Sequence, residues 1–222
     1  MNLKSFVLNP KYIKETKINW NQFILLIFLY FFVSTIITMP LSGIVHLLDA
    51  RHSFSGRSVN EMLIKAVLFA PITEECLFRL LLKPKYNNLI IFLLLMLPLS
   101  LYVLSKESYI TFTIISTIEL IILMTILQNT YLYKLQKCII KHFRFFFYFS
   151  ILSFGLVHIT NFTFPKINFW VILCTPLLVS PQIFMGSIFG YIRMRFGFTY
   201  SVLLHTTING VITLGFALAT FI

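Results

Sequence analysis

Charged residues are scarce in this chain of 222 residues. They make up 11% of the sequence, whereas hydrophobic residues make up 58%. This composition excludes an ordinary soluble protein, because the surface of a soluble domain needs many more charged side chains. Apolar runs of about 18 residues or more recur along the chain instead, and such runs are typical of membrane-spanning helices.

Several other features are missing. The three cysteines, Cys76, Cys138 and Cys174, have neither the spacing of a disulfide framework nor that of a metal site. No alternating strand pattern indicates a membrane barrel, and no internal repeat, low-complexity tract or soluble domain stands out. Since a bilayer leaves no water for unpaired backbone groups, the sequence predicts an all-α, polytopic transmembrane helix bundle.

The net charge of +11 does not indicate a nucleic-acid partner. The basic residues lie in short clusters between apolar runs, where they are typical of topology-setting loops. The partners we expect are the lipid bilayer and a peptide or membrane protein, with an unknown oligomeric state.

Seven spans are predicted, and Pro40 is expected to end the first of them. That first run lacks a signal-peptide cleavage site, so we expect it to be retained. Pro176 and Pro181 are expected to break the sixth span into two parts. The chain is divided into an N-terminal segment with the first span and a loop (1–59) and a core (60–222). The predicted spans are residues 20–39, 62–82, 88–104, 109–133, 145–164, 169–191 and 198–222.

The orientation follows from the lysines and arginines between the spans. With the N-terminus in the cytoplasm, four of these residues lie outside: Arg51, Arg57, Lys106 and Lys166. Twelve lie inside: Lys4, Lys11, Lys14, Lys17, Lys83, Lys85, Lys134, Lys137, Lys141, Arg144, Arg193 and Arg195. This asymmetry predicts a multi-pass protein of the cell membrane with a cytoplasmic N-terminus.

A few ionisable or strongly polar residues lie inside the predicted spans. Glu74, Glu75 and Arg79 lie in the second span, where an ionisable side chain costs about 2.5–3.5 kcal/mol. His158 lies in the fifth span, and His205 and Asn209 lie in the seventh. Residues four apart share one helix face. Glu75 is therefore expected to pair with Arg79, and His205 and Asn209 to face one point, while Glu74 is free to point elsewhere.

These side chains suit hydrolysis if they meet at one depth. A carboxylate and an imidazole can hold a water and remove its proton, and a second histidine with an asparagine amide can donate to an oxyanion. Alternatively, Glu74, His158 and His205 could bind a divalent metal such as zinc. The chain has no H-E-x-x-H motif, which excludes the ordinary zincin arrangement. A proton-coupled transporter is a further alternative, but no inverted repeat supports it.

Three short motifs carry a family resemblance. Glu74 to Arg79 matches E-E-x-x-F-R, Phe154 to His158 matches F-x-x-x-H, and His205 to Asn209 matches H-x-x-x-N. In this order they resemble the signature motifs of the CPBP family. That family comprises CaaX prenyl proteases and bacteriocin-processing or immunity membrane proteins, and is also called Abi.

The resemblance implies an intramembrane endopeptidase whose site opens toward the cytoplasm. By matching position, Glu74 and His158 would activate a water, and His205 and Asn209 would stabilise the oxyanion. Glu75 and Arg79 would support the site. The resemblance leaves a glutamate-based and a metal-dependent protease open. It also leaves open a non-catalytic immunity or membrane-partner binding protein.

Overall fold

A computed structural model describes residues 2–52, 61, 63–104, 113–114, 117–118, 120–121, 124–125 and 128–221. Two strands of two residues each are present: β1 (Arg51–His52) and β2 (Phe162–Thr163). Leu63–Phe69 is a π-helix, and Leu80–Leu82 and His158–Asn161 are 3₁₀ turns. The α-helices are α1 (Leu3–Leu8), α2 (Trp20–Leu47), α3 (Ala70–Arg79), α4 (Tyr86–Leu104), α5 (Asn129–Lys141), α6 (Phe143–Val157), α7 (Phe169–Leu178), α8 (Ser180–Arg195) and α9 (Phe198–Phe221).

Long apolar helices dominate, which confirms an all-α, multi-pass membrane bundle. Within the described residues, four helical stretches are long and apolar enough to cross a membrane: Trp20–Leu47, Phe143–Asn161, Phe169–Arg195 and Phe198–Leu218. Eleven of the 25 residues of the predicted span at 109–133 lie outside the described residues. The number of seven spans therefore stays a prediction.

The expectation that Pro40 ends the first span is wrong, because α2 continues through it to Leu47. A proline removes one N–H from the helical pattern, but a helix in lipid keeps its remaining backbone hydrogen bonds for lack of water. Hydroxyl groups near Pro40 add bonds to the helix, since Thr38 donates to the carbonyl of Thr35 and Ser42 to that of Met39. Residues 41–47, expected to be a loop, belong to this helix.

The expected break in the sixth predicted span is present, at one of its two prolines. α7 and α8 are separate helices, and the break lies at Val179. Pro181 occupies the first turn of α8, a position that needs no backbone donor, whereas Pro176 lies within α7. The interpretation of two half-spans is confirmed, with Pro181 at the break.

The fifth predicted span is shorter as an α-helix than expected. α6 ends at Val157, and a 3₁₀ turn and β2 follow where the helix was predicted to reach residue 164. β2 pairs antiparallel with β1, with Arg51 opposite Thr163. This pairing holds the turn that starts at His158 against the end of α2.

Helices α6 and α8 pack closely because glycines line their contact. A Cβ atom at Gly190 would lie 2.8 Å from Cε2 of the buried Phe147 ring, and one at Gly186 would lie 3.1 Å from Cδ1 of Phe154. Gly186 and Gly190, a G-x-x-x-G pair in this span, therefore serve packing within the bundle.

Candidate functional site

Glu74 and Glu75 leave α3 in different directions, because successive residues of a helix lie about 100° apart. The Glu75 side chain is fully buried inside the bundle, whereas 24% of the Glu74 side chain is exposed. The two adjacent carboxylates therefore contact different neighbours, as expected from the i, i+4 spacing of Glu75 and Arg79.

Glu75 is bound on two sides by α9. Its Oε1 atom lies 3.2 Å from Nδ1 of His205, and its Oε2 atom accepts a hydrogen bond from the Ser201 hydroxyl. The expected pairing with Arg79 is present as an ion pair of 3.8 Å between Nε and Oε2, which is too long for a hydrogen bond. Glu75 therefore ties α3 to α9.

Arg79 ties the same helix to α6 and α8. Its Nη1 atom donates to Oγ of Ser150 at 3.0 Å, and Nη2 donates to the Gly186 carbonyl at 3.3 Å. The guanidinium also lies 4.6 Å from the centre of the Phe154 ring, where cation–π attraction adds to the contact. Gly186 matters here because a Cβ atom would lie 3.3 Å from Nη2.

Glu74 faces both histidines that the sequence singled out. Its Oε2 atom lies 3.8 Å from Nε2 of His158 and 3.7 Å from Nε2 of His205. This oxygen is buried and forms no direct hydrogen bond with the described protein groups. Three side chains from three separate helical segments thus converge on one point.

The other ring nitrogen of each histidine sets its orientation. Nδ1 of His158 donates to the Phe154 carbonyl at 2.7 Å. A carbonyl only accepts, so Nδ1 carries the proton and a neutral ring has its lone pair on Nε2, toward Glu74. Nδ1 of His205 likewise lies against a carboxylate, that of Glu75. Both rings therefore present Nε2 to the centre of the site.

Aromatic rings hold the imidazole planes. The Phe189 ring stacks on His205 with 4.4 Å between ring centres, and Phe154 lies 4.7 Å from His158 and 5.8 Å from His205. These contacts exclude water from one side of each imidazole. Lower water content strengthens the electrostatic interactions at Glu74.

Asn209 lies one helical turn beyond His205 on α9, as the spacing predicted. Its amide does not bond to Glu74 or to either histidine. Instead Nδ2 donates to the carbonyl of Ala66 at 2.7 Å, which joins α9 to the π-helix before α3. One of the two amide N–H groups is therefore used by the backbone.

A metal ion was the alternative for this cluster. Glu74, His158 and His205 would supply one carboxylate oxygen and two imidazole nitrogens, a donor set that suits zinc. Within the described part of the chain, however, no group of three or more His, Cys, Asp and Glu residues is arranged to hold a metal ion. The metal alternative stays a prediction, and we derive no chemical step through a metal ion.

Two serines of the site were missed from the sequence. Ser201 bonds to Glu75, and the Ser150 hydroxyl accepts from Arg79 while it donates to the Phe78 carbonyl. A helical pattern could have found them, since Ser201 lies four residues before His205 and Ser150 eight before His158. Residues at these spacings share a helix face.

Together the fold and this cluster define a multi-pass membrane protein with a glutamate–histidine site between its helices. The family model "Type II CAAX prenyl endopeptidase Rce1-like" matches residues 57–211, a range that contains all six motif residues. The chain belongs to this Rce1-like family of membrane proteases, which confirms the resemblance of the three motifs. No curated protein and no solved structure matches the chain.

Proposed function

We propose that the protein is an intramembrane endopeptidase that hydrolyses a peptide bond in a membrane-associated peptide or protein. The observation that carries this proposal is the position of Glu74 Oε2, 3.7–3.8 Å from two imidazole nitrogens. In such an arrangement the carboxylate can bind a water, and an imidazole beside it can stabilise the charge that develops on the substrate carbonyl.

Glu74 and His158 hold and activate the water. The gap of 3.8 Å between Oε2 and Nε2 is too long for a direct hydrogen bond. A water about 2.8 Å from both atoms fits it, with an angle at the water of about 85°. Glu74 takes one proton from this water, and the neutral Nε2 of His158 accepts a hydrogen bond from the other.

The hydroxide then attacks the peptide carbonyl, and His205 stabilises the oxyanion. Donation from Nε2 while Nδ1 faces Glu75 requires the doubly protonated imidazolium. Glu75, 3.2 Å away, stabilises that form. The charges of Glu74, Glu75, Arg79 and His205 then sum to zero, which lowers the cost of burying them. The second N–H of Asn209 is the other proposed oxyanion donor.

Breakdown of the tetrahedral intermediate completes the reaction. Glu74 transfers the proton it took from the water to the leaving amine, the C–N bond breaks, and the carboxylate is regenerated. The atoms balance without a cofactor, and His158 keeps the carboxylate and the water aligned. Because Glu74, His158 and the bound water lie close together, Glu74 can carry the proton from the water to the leaving amine.

We also propose that the site opens to the cytoplasmic half of the cell membrane, in a bundle of seven spans. Contacts between predicted inner segments support this: the N–H of Thr16 donates to the Arg195 carbonyl, and Nζ of Lys83 donates to that of Ile13. The pairing of β1 with β2 joins a predicted outer segment to the outer end of the fifth predicted span. Lys11→Cys and Lys166→Cys, each in a background with Cys76, Cys138 and Cys174 replaced by serine, should be labelled from opposite sides of sealed vesicles. Labelling of both from one side would contradict this orientation.

The central test compares Glu74→Gln and His158→Ala with the wild-type protein on a fluorogenic peptide. The matched control is Glu61→Gln, because Glu61 is a partly exposed carboxylate that pairs with Lys65 on its own helical segment. We expect loss of about 10²-fold or more in rate for each site variant, and no change in the control. Unchanged hydrolysis by folded Glu74→Gln protein would overturn the proposal.

The same samples separate the remaining alternatives. Metal analysis of wild-type and Glu74→Gln protein tests whether a divalent ion accompanies the activity. A non-catalytic bacteriocin-immunity or membrane-partner binding role predicts that binding of a partner peptide survives the Glu74→Gln change without any hydrolysis by the wild type.

A further inference from the structure

The π-helical pattern before α3 provides no donor for one carbonyl. Leu63–Phe69 is π-helical, and in a π-helix the N–H of residue i+5 donates to the carbonyl of residue i. The residue five positions after Ala66 is Pro71, which has no N–H. The π pattern therefore cannot continue past this point, and α3 begins with Pro71 in its first turn.

Asn209 supplies the missing donor from another helix. Its amide nitrogen lies 2.7 Å from the Ala66 carbonyl oxygen, a normal hydrogen-bond length. A Cβ atom at the next residue, Gly210, would lie at an ordinary contact distance of 3.8 Å from Cγ1 of Val67, so α9 packs directly against the π-helix here. A carbonyl in a bilayer that loses its partner has no water to replace it.

This bond bears on the site through the rotation of α3. The end of the π-helix determines the rotation at which α3 begins, and Glu74 lies only three residues after Pro71. On the facing helix, Asn209 is one turn from His205, whose Nε2 lies 3.7 Å from Glu74. Helix α9 therefore contacts the segment that carries Glu74 through Ser201, His205 and Asn209, and the last of these bonds to the Ala66 carbonyl.

We propose that Asn209 is a positioning residue: its side chain replaces the N–H that Pro71 lacks and so fixes the π-helix that directs Glu74 toward the two histidines. The proposal rests on the proposed function for its catalytic consequence only. It is separate from any donation to the oxyanion, because the two roles use different N–H groups of the amide.

The test is a double-mutant cycle between Asn209→Ala and Pro71→Ala. Pro71→Ala restores the backbone N–H at residue 71, so the Ala66 carbonyl no longer depends on Asn209. Each protein is measured by thermal unfolding in detergent and by hydrolysis of a fluorogenic peptide. Thr207→Ala is the matched control, because its exposed hydroxyl bonds only within α9, to the Leu203 carbonyl at 2.8 Å.

In the Pro71 background we expect Asn209→Ala to lower the unfolding midpoint by about 5 °C and the hydrolysis rate by about 10-fold or more. In the Pro71→Ala background the same change should have little effect on unfolding. Equal damage in both backgrounds, seen in the unfolding midpoint or in folded yield, would overturn the proposal. If the wild type hydrolyses no peptide, the proposed function fails, while the unfolding measurements still decide the role of Asn209.

Discussion

Glu74 and Glu75 show how far the surroundings of one residue decide its role. Both are carboxylates in the same turn of α3, yet Glu75 is fully buried among charged partners and Glu74 is partly open. Glu75 bonds to α9 and forms an ion pair with the equally buried Arg79. A carboxylate so placed holds helices together, whereas Oε2 of Glu74 has no hydrogen-bond partner among the described residues and is available for the proposed reaction.

This difference predicts opposite results for two identical substitutions. Glu75→Gln leaves the buried Arg79 guanidinium without a counter-charge, which costs about 3–5 kcal/mol. Glu74→Gln keeps the Glu75 carboxylate beside both Arg79 and His205, so it should cost much less stability than Glu75→Gln while it loses activity. Thermal unfolding of both variants in detergent measures the difference.

Arg79→Met in the Glu75→Gln background provides the control for that prediction. Removal of both charges takes away the uncompensated cation, so the double variant should be less destabilised than the sum of the two single changes. Glu75→Gln as stable as Glu74→Gln would show that the ion pair has no structural importance.

Helix periodicity predicted two residue pairs of this site from the sequence. The i, i+4 rule predicted that His205 and Asn209 share a face and that Glu75 lies near Arg79, and both pairs are so placed. It could not predict that Asn209 bonds to Ala66, because that bond depends on a π-helix, whose different period leaves no clear sequence signal. Ser150 and Ser201 were not predicted, because a hydroxyl in a membrane helix more often bonds to its own backbone.

At the scale of helices, the same residue type had different effects at different positions. Pro181 lies at a helix start and coincides with a break, whereas α2 passes through Pro40. Sequence alone does not distinguish these cases, because both prolines follow apolar runs. The outcome depends on whether neighbouring groups bond the freed carbonyls, which is a property of the folded structure.

The contact of α6 with α8 gives a prediction at this scale. Gly190→Ala places a Cβ atom 2.8 Å from the Phe147 ring, which is itself fully buried and cannot move aside. We expect a loss of about 1–3 kcal/mol in the free energy of unfolding. Because α8 also carries Gly186 and Phe189, the variant should lose activity as well as stability, as measured by unfolding and peptide hydrolysis.

Gly215→Ala on α9 is the matched control. A Cβ atom at Gly215 has no other atom within 4 Å, so alanine there should be neutral or stabilise the helix by up to about 1 kcal/mol. Equal losses in the two variants would indicate that the close approach of α6 and α8 is unimportant.

At the scale of the whole molecule, the N-terminal segment belongs to the same packed structure as the motif helices. Phe6 is completely buried against Phe147 and Tyr191. Glu15 lies 3.8 Å from Nζ of Lys83 and 3.6 Å from Nη1 of Arg193. Because Arg193 in turn donates to the Arg79 carbonyl, the segment reaches the end of α3 through a chain of contacts.

Glu15 is therefore predicted to matter to stability in a pH-dependent way. Burial lowers the pKa of Lys83, and the Glu15 carboxylate opposes that shift. A lysine with a lowered pKa loses its proton at a lower pH in the folded than in the unfolded chain. Its buried charge thus reduces stability at neutral pH, and this penalty disappears as the pH rises.

Glu15→Gln increases the penalty, because Lys83 and Arg193 keep their buried charges without the carboxylate. Since Glu15 is partly exposed, we expect a loss of about 1–2 kcal/mol at pH 7. The loss of stability should become smaller toward about pH 10 as Lys83 deprotonates. The part of the loss that comes from Arg193 should remain. Unfolding in detergent across this pH range measures the loss of stability. Glu61→Gln is the control: it breaks a partly exposed pair within one helical segment and should lose no more than about 0.5 kcal/mol. A Glu15→Gln deficit that equals this control, or that stays constant with pH, would mean that the N-terminal segment does not stabilise the buried cations.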